Sequence, residues 1–473
     1  MQIWRSIIWN YQYLSKSIKL IEKNIGNKLS ISIKINQIDR NGNMKLPKVP
    51  EFSKEALEEA EKFRHDDQIA DLVNEYNERY LHWEELKHRK LPLDPVIVWN
   101  LMKLSRELKA KSLKFGDWVF KYNLIDEFHE RLHILDKSAA GNLLSSLDAL
   151  QDNRRKYIIS SLMEEAIASS QIEGAATTRE IAKKMLQENR KPKNKDEKMI
   201  VNNYDTVKHI VDIKNEAFTP ERILEIHRMI TGGTLEQPQY EGNFRESNEI
   251  AVYSHDGTLL HKPVEYTEVP KLVKELCDFA KSKDEDFIHP VIKGIIIHFL
   301  VGYIHPFNDG NGRTARALFY WYLIKNDYWL FEYMAVSRVI NNSKKQYRNA
   351  YIYTESDRTP NDSGDLTYFI KYNLDCIQKA LDDTLEYLER KQKEQAQTLK
   401  IITESGNLTL RQAEILKQFL KQPEKPVTIK EIVTIYSVAY ATARSDLFRL
   451  AELGYVEKRK AGKEFIFVCK RAY

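Results

Sequence analysis

Twelve consecutive residues, 305–316, combine the residue types that bind a phosphate and remove a proton. They read His-Pro-Phe-Asn-Asp-Gly-Asn-Gly-Arg-Thr-Ala-Arg. The imidazole of His305 has an unperturbed pKa suited to proton abstraction near neutral pH. The two glycines let the backbone close on a phosphate without a Cβ atom in the way. Arg313 and Arg316 are three residues apart, so on a helix both can face one anion.

The flanking residues predict two buried helices joined by this loop. Residues 291–304 are largely apolar and follow Pro290, which suits a first helical turn. Residues 317–324 predict a second helix, whose N-terminus favours an anion. Asp309 adds a hard oxygen ligand, which beside a phosphate indicates Mg²⁺. The sequence therefore predicts a phosphate site with a base beside it. The alternative is a polar turn whose charged side chains pair with surface carboxylates.

The same twelve residues resemble the signature of Fic-domain proteins, H-P-F-x-[D/E]-G-N-G-R-x-x-R, at every specified position. The resemblance implies transfer of AMP from ATP to a hydroxyl side chain of a target protein, with ATP and Mg²⁺ as cofactors. It assigns His305 as the general base and Asp309 as the Mg²⁺ ligand. It assigns the binding of the ATP phosphates to Gly310, Asn311, Gly312, Arg313, Thr314, Ala315 and Arg316. Of these, Arg316 would contact the γ-phosphate.

A second segment, residues 157–174, predicts a helix that ends at Gly174, a residue suited to a helix C-cap. Glu173 then lies at the negative end of its helix dipole, where a carboxylate needs a nearby cation. The end of this segment resembles the inhibitory motif [S/T]-x-x-x-E-[G/N] of the same family, which gives Ser169, Glu173 and Gly174 an inhibitory role. The resemblance implies that Glu173 pairs with Arg316 in the place of the γ-phosphate. The alternative is an exposed glutamate at a frayed helix end.

Residues 248–263 alternate apolar and polar side chains around an Asp-Gly pair, which predicts a β-hairpin. In Fic proteins a hairpin at this place is a flap that aligns the target segment by strand pairing. An ordinary surface hairpin is the alternative. We interpret His255 and His261 as surface residues of this hairpin, not as metal ligands.

Two residues beyond the signature are candidates for the adenine site. Asn342 and Tyr347 fall where the family places its purine contacts. Many relatives carry two adjacent tyrosines in this region, whereas this chain has Tyr347 followed by Arg348. A structural role is the alternative for both candidates.

The C-terminal residues 407–473 predict a separate domain of three short helices and two strands that resembles a winged helix-turn-helix. It contains 13 basic and 7 acidic residues, a net charge of +6. DNA binding is one use of such a domain, and docking of a partner protein is the other. In the first case the third helix would face DNA with Tyr440, Thr442, Arg444, Ser445 and Arg449, and the lysine-rich wing would meet phosphate.

The whole chain has the composition of a globular protein, with 473 residues, 42% hydrophobic and 30% charged, and a net charge of +5. Its three cysteines are widely spaced, which predicts reduced thiols in a cytoplasmic protein. The sequence contains no run of about 18 apolar residues, so it predicts no membrane span. The first 43 residues hold ten isoleucines and only two acidic residues. They are either read-through upstream of a start at Met44 or a basic amphipathic arm.

The predicted fold class is mainly α, a Fic helical bundle core with a β-hairpin flap, plus a C-terminal winged helix domain. The predicted domains are an atypical extension (1–43), an N-terminal helical region (44–156), a Fic catalytic domain (157–400) with its inhibitory helix (157–174), and a winged helix-turn-helix domain (407–473).

Three functions are consistent with the sequence. The first is a protein adenylyltransferase that modifies a Ser, Thr or Tyr hydroxyl and releases pyrophosphate. The second is the reverse activity at the same site, removal of AMP from a modified protein. The third is a DNA-binding regulator whose Fic core only senses ATP, although His305 argues against it because a sensor needs no base. A homodimer is left open.

Overall fold

The computed structural model describes residues 46–51, 58, 62–63, 66–138, 154–253, 259–282, 287–358, 362–405, 408–461 and 464–470. The predicted N-terminal extension and His255 lie outside these residues. The chain divides into two compact units, one of Leu46–Val252 with His261–Tyr473 and the other of Met1–Lys45 with Tyr253–Leu260. The second unit is described only at Tyr253, Leu259 and Leu260. The described residues are mainly helical, as predicted.

The N-terminal part of the larger unit contains both helices and strands. Its elements are α1 (Asp67–Glu78), α2 (Trp83–Leu86), α3 (Pro95–Glu107), β1 (Lys111–Phe115), β2 (Trp118–Tyr122) and α4 (Asp126–Lys137). The predicted N-terminal helical region (44–156) therefore also contains the strands β1 and β2. Gly116, with φ +58°, sits in a two-residue turn that lets Phe115 face Trp118. The hairpin pairs through β2 with a later strand, β5 (Gly364–Asp365).

The middle of the chain supplies the helices around the signature loop. The elements are α5 (Arg154–Ile172), α6 (Arg179–Gln187), α7 (Lys195–Asp212), α8 (Pro220–Thr231), β3 (Val252–Tyr253), β4 (Leu259–His261), α9 (Val269–Lys281), α10 (Pro290–Ile304), α11 (Asn311–Lys325), α12 (Val336–Asn342), α13 (Lys344–Ser356) and α14 (Thr367–Ser405). Strands β3 and β4 form a two-stranded sheet. They correspond to the predicted hairpin, whose turn lies outside the described residues; its role as a flap stays a prediction.

Helices α10 and α11 form the centre of the main hydrophobic core. Both are buried on nearly every side, so neither has an exposed polar stripe, and the polar residues at the start of α11 are themselves buried. The core continues into the N-terminal hairpin, where the Phe120 ring packs edge-on against Phe299 of α10. A neighbouring apolar cluster joins α5 to α6 and α7. The loop between α10 and α11 is therefore held by buried helices on both sides.

Buried polar contacts fix the N-terminal part to α13 and α14. The Lys103 ammonium donates to the Asp357 carboxylate at 2.7 Å, with both side chains buried. The Tyr80 hydroxyl donates to the Asp365 carboxylate at 2.6 Å. Because burying such groups is costly without partners, these bonds specify one arrangement of the two segments. The end of α13, which borders the site described below, is thereby held in place.

The C-terminal part has its own apolar core. Its elements are α15 (Leu410–Lys421), β6 (Val427–Thr428), α16 (Ile429–Tyr436), α17 (Tyr440–Glu452), β7 (Val456–Ala461) and β8 (Glu464–Cys469). The strands form one sheet in the order β6-β8-β7. Helix α16 packs against α5 and α6.

In the part of the chain that the structure describes, no helix combines the length and the apolar character needed to cross a membrane. The three cysteines are unpaired, and Cys277 and Cys376 are buried.

Candidate active site

The loop between α10 and α11 is closed by one of its own side chains. Asn311 is buried; its amide oxygen accepts a hydrogen bond from the Phe307 N–H at 2.9 Å. Its amide nitrogen donates to the Phe307 carbonyl at 2.8 Å. Both polar atoms of the side chain thus bond within the loop. A contribution of Asn311 to the predicted phosphate site would then come from its backbone N–H.

We expect Asn311→Ala to destabilise the protein. The variant would leave a buried N–H and a buried carbonyl of Phe307 without partners, which costs about 1–3 kcal/mol for each such group. Differential scanning calorimetry should show the unfolding transition at a lower temperature. The matched control is Asn243→Ala, which removes one exposed amide bond to the Gln239 carbonyl and should move the transition little. Equal transitions for both variants would contradict the role given to Asn311.

Two residues outside the signature, Arg245 and His227, contact the loop and hold its backbone in place. The sequence does not predict this role for either residue. The Arg245 backbone N–H donates to the Pro306 carbonyl, and its Nε donates to the His305 carbonyl, both at 2.9 Å. The His227 ring stacks on Phe307 with centroids 3.7 Å apart. The only sequence signal for either residue is that Arg245 ends the Gly-Asn-Phe-Arg run before the predicted hairpin.

The hydrogen bonds of His227 fix its tautomer. Its Nδ1 accepts from the Gly242 N–H at 3.0 Å, so Nε2 carries the proton and donates to the Asp309 carbonyl at 2.9 Å. Burial lowers the pKa of His227 to about 4, which keeps the ring neutral at physiological pH. This arrangement fixes the backbone next to the predicted metal ligand.

His305 follows directly after α10, in the left-handed conformation with φ 50°. Its Nδ1 lies 3.2 Å from the Gly302 carbonyl, so Nδ1 carries the proton and Nε2 keeps a free lone pair. Burial lowers the pKa of His305 to about 4, and the nearby charge of His261 acts in the same direction. The imidazole is therefore neutral and can accept a proton at Nε2.

The N-terminus of α11 presents backbone donors to one small space. Gly310, with φ 83°, precedes the helix, and the first N–H bonded within it is that of Thr314. Among the described residues, none accepts a hydrogen bond from the N–H groups of residues 311–313. The Glu173 carboxylate lies against Gly312, where an added Cβ atom would be 2.9 Å from the Glu173 Cδ. A negative group therefore occupies the place that the helix dipole favours for an anion.

Arg316 connects α11 with the end of α5. Its side chain is 2% exposed, and Nη2 donates to Glu173 Oε1 and to the Ser169 carbonyl, both at 2.9 Å. Nε donates to the Ser169 hydroxyl at 2.9 Å. Burial alone would lower the pKa of Arg316, but Glu173 together with Tyr347 and Glu165 outweighs burial, so the pKa is raised. The structure thus brings together Ser169, Glu173 and Arg316.

Buried donors beside this pair lack partners. Arg313 reaches the Ile230 carbonyl and the Asp309 carboxylate only at 3.4 Å each, and its Nε has no partner in the part of the chain that the structure describes. Arg316 Nη1 and the Thr314 hydroxyl also have none among the described residues. Unpaired buried donors are costly, so their presence here fits a site that receives an anion.

Helix α5, the predicted inhibitory helix, is anchored at a second point. Glu165 is fully buried and accepts hydrogen bonds from the Tyr320 hydroxyl at 2.7 Å and the Ser337 N–H at 2.9 Å. Burial raises the pKa of Glu165. Helix α5 ends at Ile172, and Gly174 follows with φ 95°. Glu173 is therefore presented from a helix whose position is fixed, and it does not lie on a frayed segment.

The remaining predicted site residues lie apart from the phosphate donors or in the core. Asn342 is exposed at the end of α12. The Tyr347 hydroxyl lies 2.8 Å from Nε2 of the buried His298 and close to Arg316. Ala315 has no exposed surface and lies in the hydrophobic core. The side chain of Ala315 therefore packs in the core, and its assignment to nucleotide binding stays a prediction.

The interpretation of His261 as a surface residue is wrong. His261 is 8% exposed, and both ring nitrogens have acceptors. The alternation of the hairpin cannot show which of its faces is covered, because the covering residues come from α10 and α13.

The C-terminal candidates share one helix, α17. Tyr440, Arg444, Ser445 and Arg449 are exposed, whereas Thr442 is half-buried. The Arg444 guanidinium lies 4.8 Å from the centroid of the Phe448 ring. The Lys458 ammonium, on β7, lies 4.6 Å from the same centroid. Helix α17 and β7 therefore form one basic surface that contains an aromatic ring.

Residues 217–323 match the Fic/DOC family model, so this part of the chain is a Fic domain. The matched residues include α8, α9, α10 and most of α11. Protein adenylyltransferase Fic of Nematostella vectensis is 36% identical over 105 residues, covering 22% of this chain and 22% of that protein. Its namesake in Aedes aegypti is 32% identical over 169 residues, covering 36% and 30%. The chain thus spans less than a third of the length of these curated relatives. A crystal structure of a Fic family protein from Desulfovibrio desulfuricans G20 has a TM-score of 0.45 at 17% identity, covering 73% of this chain and 95% of that one.

Proposed function

We propose that this protein is a protein adenylyltransferase, which transfers AMP from ATP to a Ser, Thr or Tyr hydroxyl of a target protein, and that Glu173 inhibits it. The match of residues 217–323 to the Fic/DOC family model and the similarity to two adenylyltransferases support the reaction class. The observation that carries the proposal is the position of the Glu173 carboxylate, against Gly312 and paired with Arg316.

The geometry supports transfer of a phosphate-bearing group by an ordinary base mechanism. Nε2 of His305 takes the proton from the target hydroxyl, and the hydroxyl oxygen bonds to the α-phosphorus of ATP. The bond from this phosphorus to the bridging oxygen breaks, and pyrophosphate leaves with that oxygen. Negative charge develops on the phosphate oxygens, where the free N–H groups of residues 311–313 and the Arg313 side chain can donate.

We propose Asp309 as the protein ligand of Mg²⁺. Its side chain is 54% exposed at the loop, and within the described part of the chain its carboxylate contacts one charged side chain, Arg313 at 3.4 Å. In the described part of the chain no three His, Cys, Asp or Glu side chains cluster as a metal site. The remaining ligands would come from the nucleotide phosphates and water, as is common for this ion. When bound, Mg²⁺ neutralises phosphate charge.

Inhibition follows from competition between two anions for one cation. Among the described residues, the only carboxylate that bonds to Arg316 is that of Glu173, which directly follows a helix that Glu165 also anchors. A γ-phosphate needs the same guanidinium and the same helix N-terminus. While Glu173 holds them, ATP binds with its α-phosphate out of line with the target hydroxyl, and the resting enzyme is nearly silent.

The proposal is tested with the full-length Glu173→Gly protein and ATP labelled on either the α- or the γ-phosphorus. Label from α-labelled ATP should become attached to protein, and label from γ-labelled ATP should not. The matched control is Glu188→Gly, since Glu188 also lies just past a helix end and is 33% exposed. Label from the γ-phosphorus would indicate a kinase, and absence of both labels would contradict the proposed activity.

The basic surface of α17 and β7 supports a second function, nucleic-acid binding by a winged helix-turn-helix domain. Cations held against aromatic rings beside an exposed helix suit a phosphate backbone. Arg444, Lys458 and the exposed Tyr440 supply these groups. Helix α16 of the same domain packs on α5, the proposed inhibitory helix. Nucleic acid bound to α17 and β7 would therefore lie on a domain that contacts this helix.

We expect the full-length protein to bind duplex DNA with an affinity that falls as salt rises. Each lost phosphate contact should reduce the slope of log affinity against log salt by about 1. Fluorescence anisotropy of Arg444→Ala/Lys458→Ala should therefore show a slope lower by about 2. The control is Lys271→Ala/Lys274→Ala on the exposed face of α9, which removes equal charge. Binding that is absent or independent of salt would favour a protein-docking domain.

A further inference from the structure

His261 and Glu355 form a buried pair next to the catalytic loop. The distance from His261 Nδ1 to Glu355 Oε2 is 2.9 Å, and that from Nε2 to the Tyr303 carbonyl is 2.8 Å. A carboxylate and a carbonyl can only accept, so both ring nitrogens must carry protons. The hydrogen bonds therefore make His261 an imidazolium cation.

This cation occupies a helix C-terminus. Tyr303 lies in the last turn of α10, where carbonyl groups have no partner within the helix. A cation at this end also opposes the negative end of the helix dipole. His305 lies two residues after Tyr303 and has a left-handed backbone conformation. The hydrogen bond between His261 and the Tyr303 carbonyl therefore fixes the backbone just before the catalytic base.

Resting on the proposed function, we propose that His261, held as a cation by Glu355, is a positioning residue for the base His305. It caps α10 and sets the direction of the His305 ring. Its charge also disfavours a proton on that ring, so the free base is available for the target hydroxyl.

The surrounding charges agree with this role. The groups that face His261 are Glu355, Arg245, Tyr303 and His305. Burial would lower the pKa of His261, but the Glu355 carboxylate and the two hydrogen bonds outweigh it, so the pKa is raised above its ordinary value of 6.5. The charge is then lost only when the pH rises through that raised value. His305 is faced by His261, Glu173 and Arg245, and the His261 charge lowers its pKa.

The test is nuclear magnetic resonance of the full-length protein with ¹⁵N-labelled histidine, which reports the protonation of each ring nitrogen without needing activity. His261→Gln and His305→Ala assign the two signals. At pH 7.5 we expect His261 protonated on both nitrogens and His305 neutral. In His261→Gln the titration midpoint of His305 should move to higher pH. A neutral His261, or an unmoved midpoint, would overturn the proposal.

Two further variants guard against misfolding. Glu355→Gln keeps the shape of the side chain but removes its charge; it should leave His261 neutral and raise the His305 midpoint. The control is His289→Gln, a second histidine–carboxylate contact, with Asp136 at 3.1 Å, at the opposite end of α10. This control should leave both signals unchanged.

A kinetic measurement separates this proposal from the proposed function. In the Glu173→Gly protein, His261→Gln should lower AMP transfer by roughly ten- to a hundredfold, the range expected from a misplaced base. Transfer that is unaffected would overturn the positioning role. If Glu173→Gly transfers no AMP at all, the proposed function fails, whereas the resonance experiment still decides whether His261 is a cation that acts on His305.

Discussion

Glu173→Gly is expected to raise AMP transfer by about a hundredfold over the unchanged protein. Breaking a buried ion pair costs about 3–5 kcal/mol. The Glu173 side chain is 26% exposed, which screens the pair and reduces that figure. If the inhibited arrangement is favoured by a free energy of about 3 kcal/mol, its removal raises the rate by about a hundredfold. The measurement is the initial rate of self-modification with α-labelled ATP.

A mild substitution at the same position gives a graded result. Glu173→Gln keeps the length of the side chain but removes its charge, so its rate should lie between those of the unchanged protein and Glu173→Gly. Glu188→Gly should match the unchanged protein. Equal rates for all four proteins would contradict the inhibitory role of Glu173.

His305→Ala in the Glu173→Gly protein should abolish most of this transfer, with a loss of about 10²–10⁴-fold, the usual contribution of a general base. Because His305 has a pKa of about 4, its neutral form predominates at neutral pH. The value of kcat/KM should therefore stay level from neutral pH downward and decrease only when the pH approaches that value. The quantity to measure is kcat/KM against pH.

A buried histidine of similar pKa provides the control. Burial lowers the pKa of His298 to about 3. Its Nε2 shares a hydrogen bond with the Tyr347 hydroxyl in the core. His298→Gln should retain most of the activity that His305→Ala loses. Near-normal labelling by His305→Ala would refute its role as the base.

The loop and its two helices could be predicted because they are contiguous in sequence. The signature, the apolar runs beside it and the proline at the start of α10 are read within about forty residues. The hairpin of β1 and β2 is also local, with its Gly-Asp turn between alternating residues. The sequence does not single it out, because leucine and tryptophan residues at helical spacing surround it and predict a helical region.

The contacts that hold the loop could not be predicted, because their partners are distant in sequence. His227 and Asp309 are 82 residues apart, and Arg245 lies 60 residues from His305. His261 and Glu355 are 94 residues apart. A hairpin pattern shows that its two faces differ, but it does not show which one is covered. Glu173 and Arg316, 143 residues apart, were linked only through the family resemblance.

A motif also names residues without showing where their side chains point. Asn311 and Ala315 both lie within the signature. The structure places the first against the backbone of Phe307 and the second in the core. Neither side chain faces the anion site, so the signature includes residues that shape the loop as well as residues that would bind the nucleotide.

The most direct test of the account is calorimetric titration of ATP and ADP into His305→Ala and into Glu173→Gly/His305→Ala, both of which lack the base. If Glu173 takes the place of the γ-phosphate, its removal should strengthen ATP binding by about tenfold or more, the value of one charge-assisted hydrogen bond. ADP lacks that phosphate, and its affinity should change little. An equal gain for both nucleotides, or no gain for ATP, would contradict the claim that Glu173 and the γ-phosphate compete for Arg316.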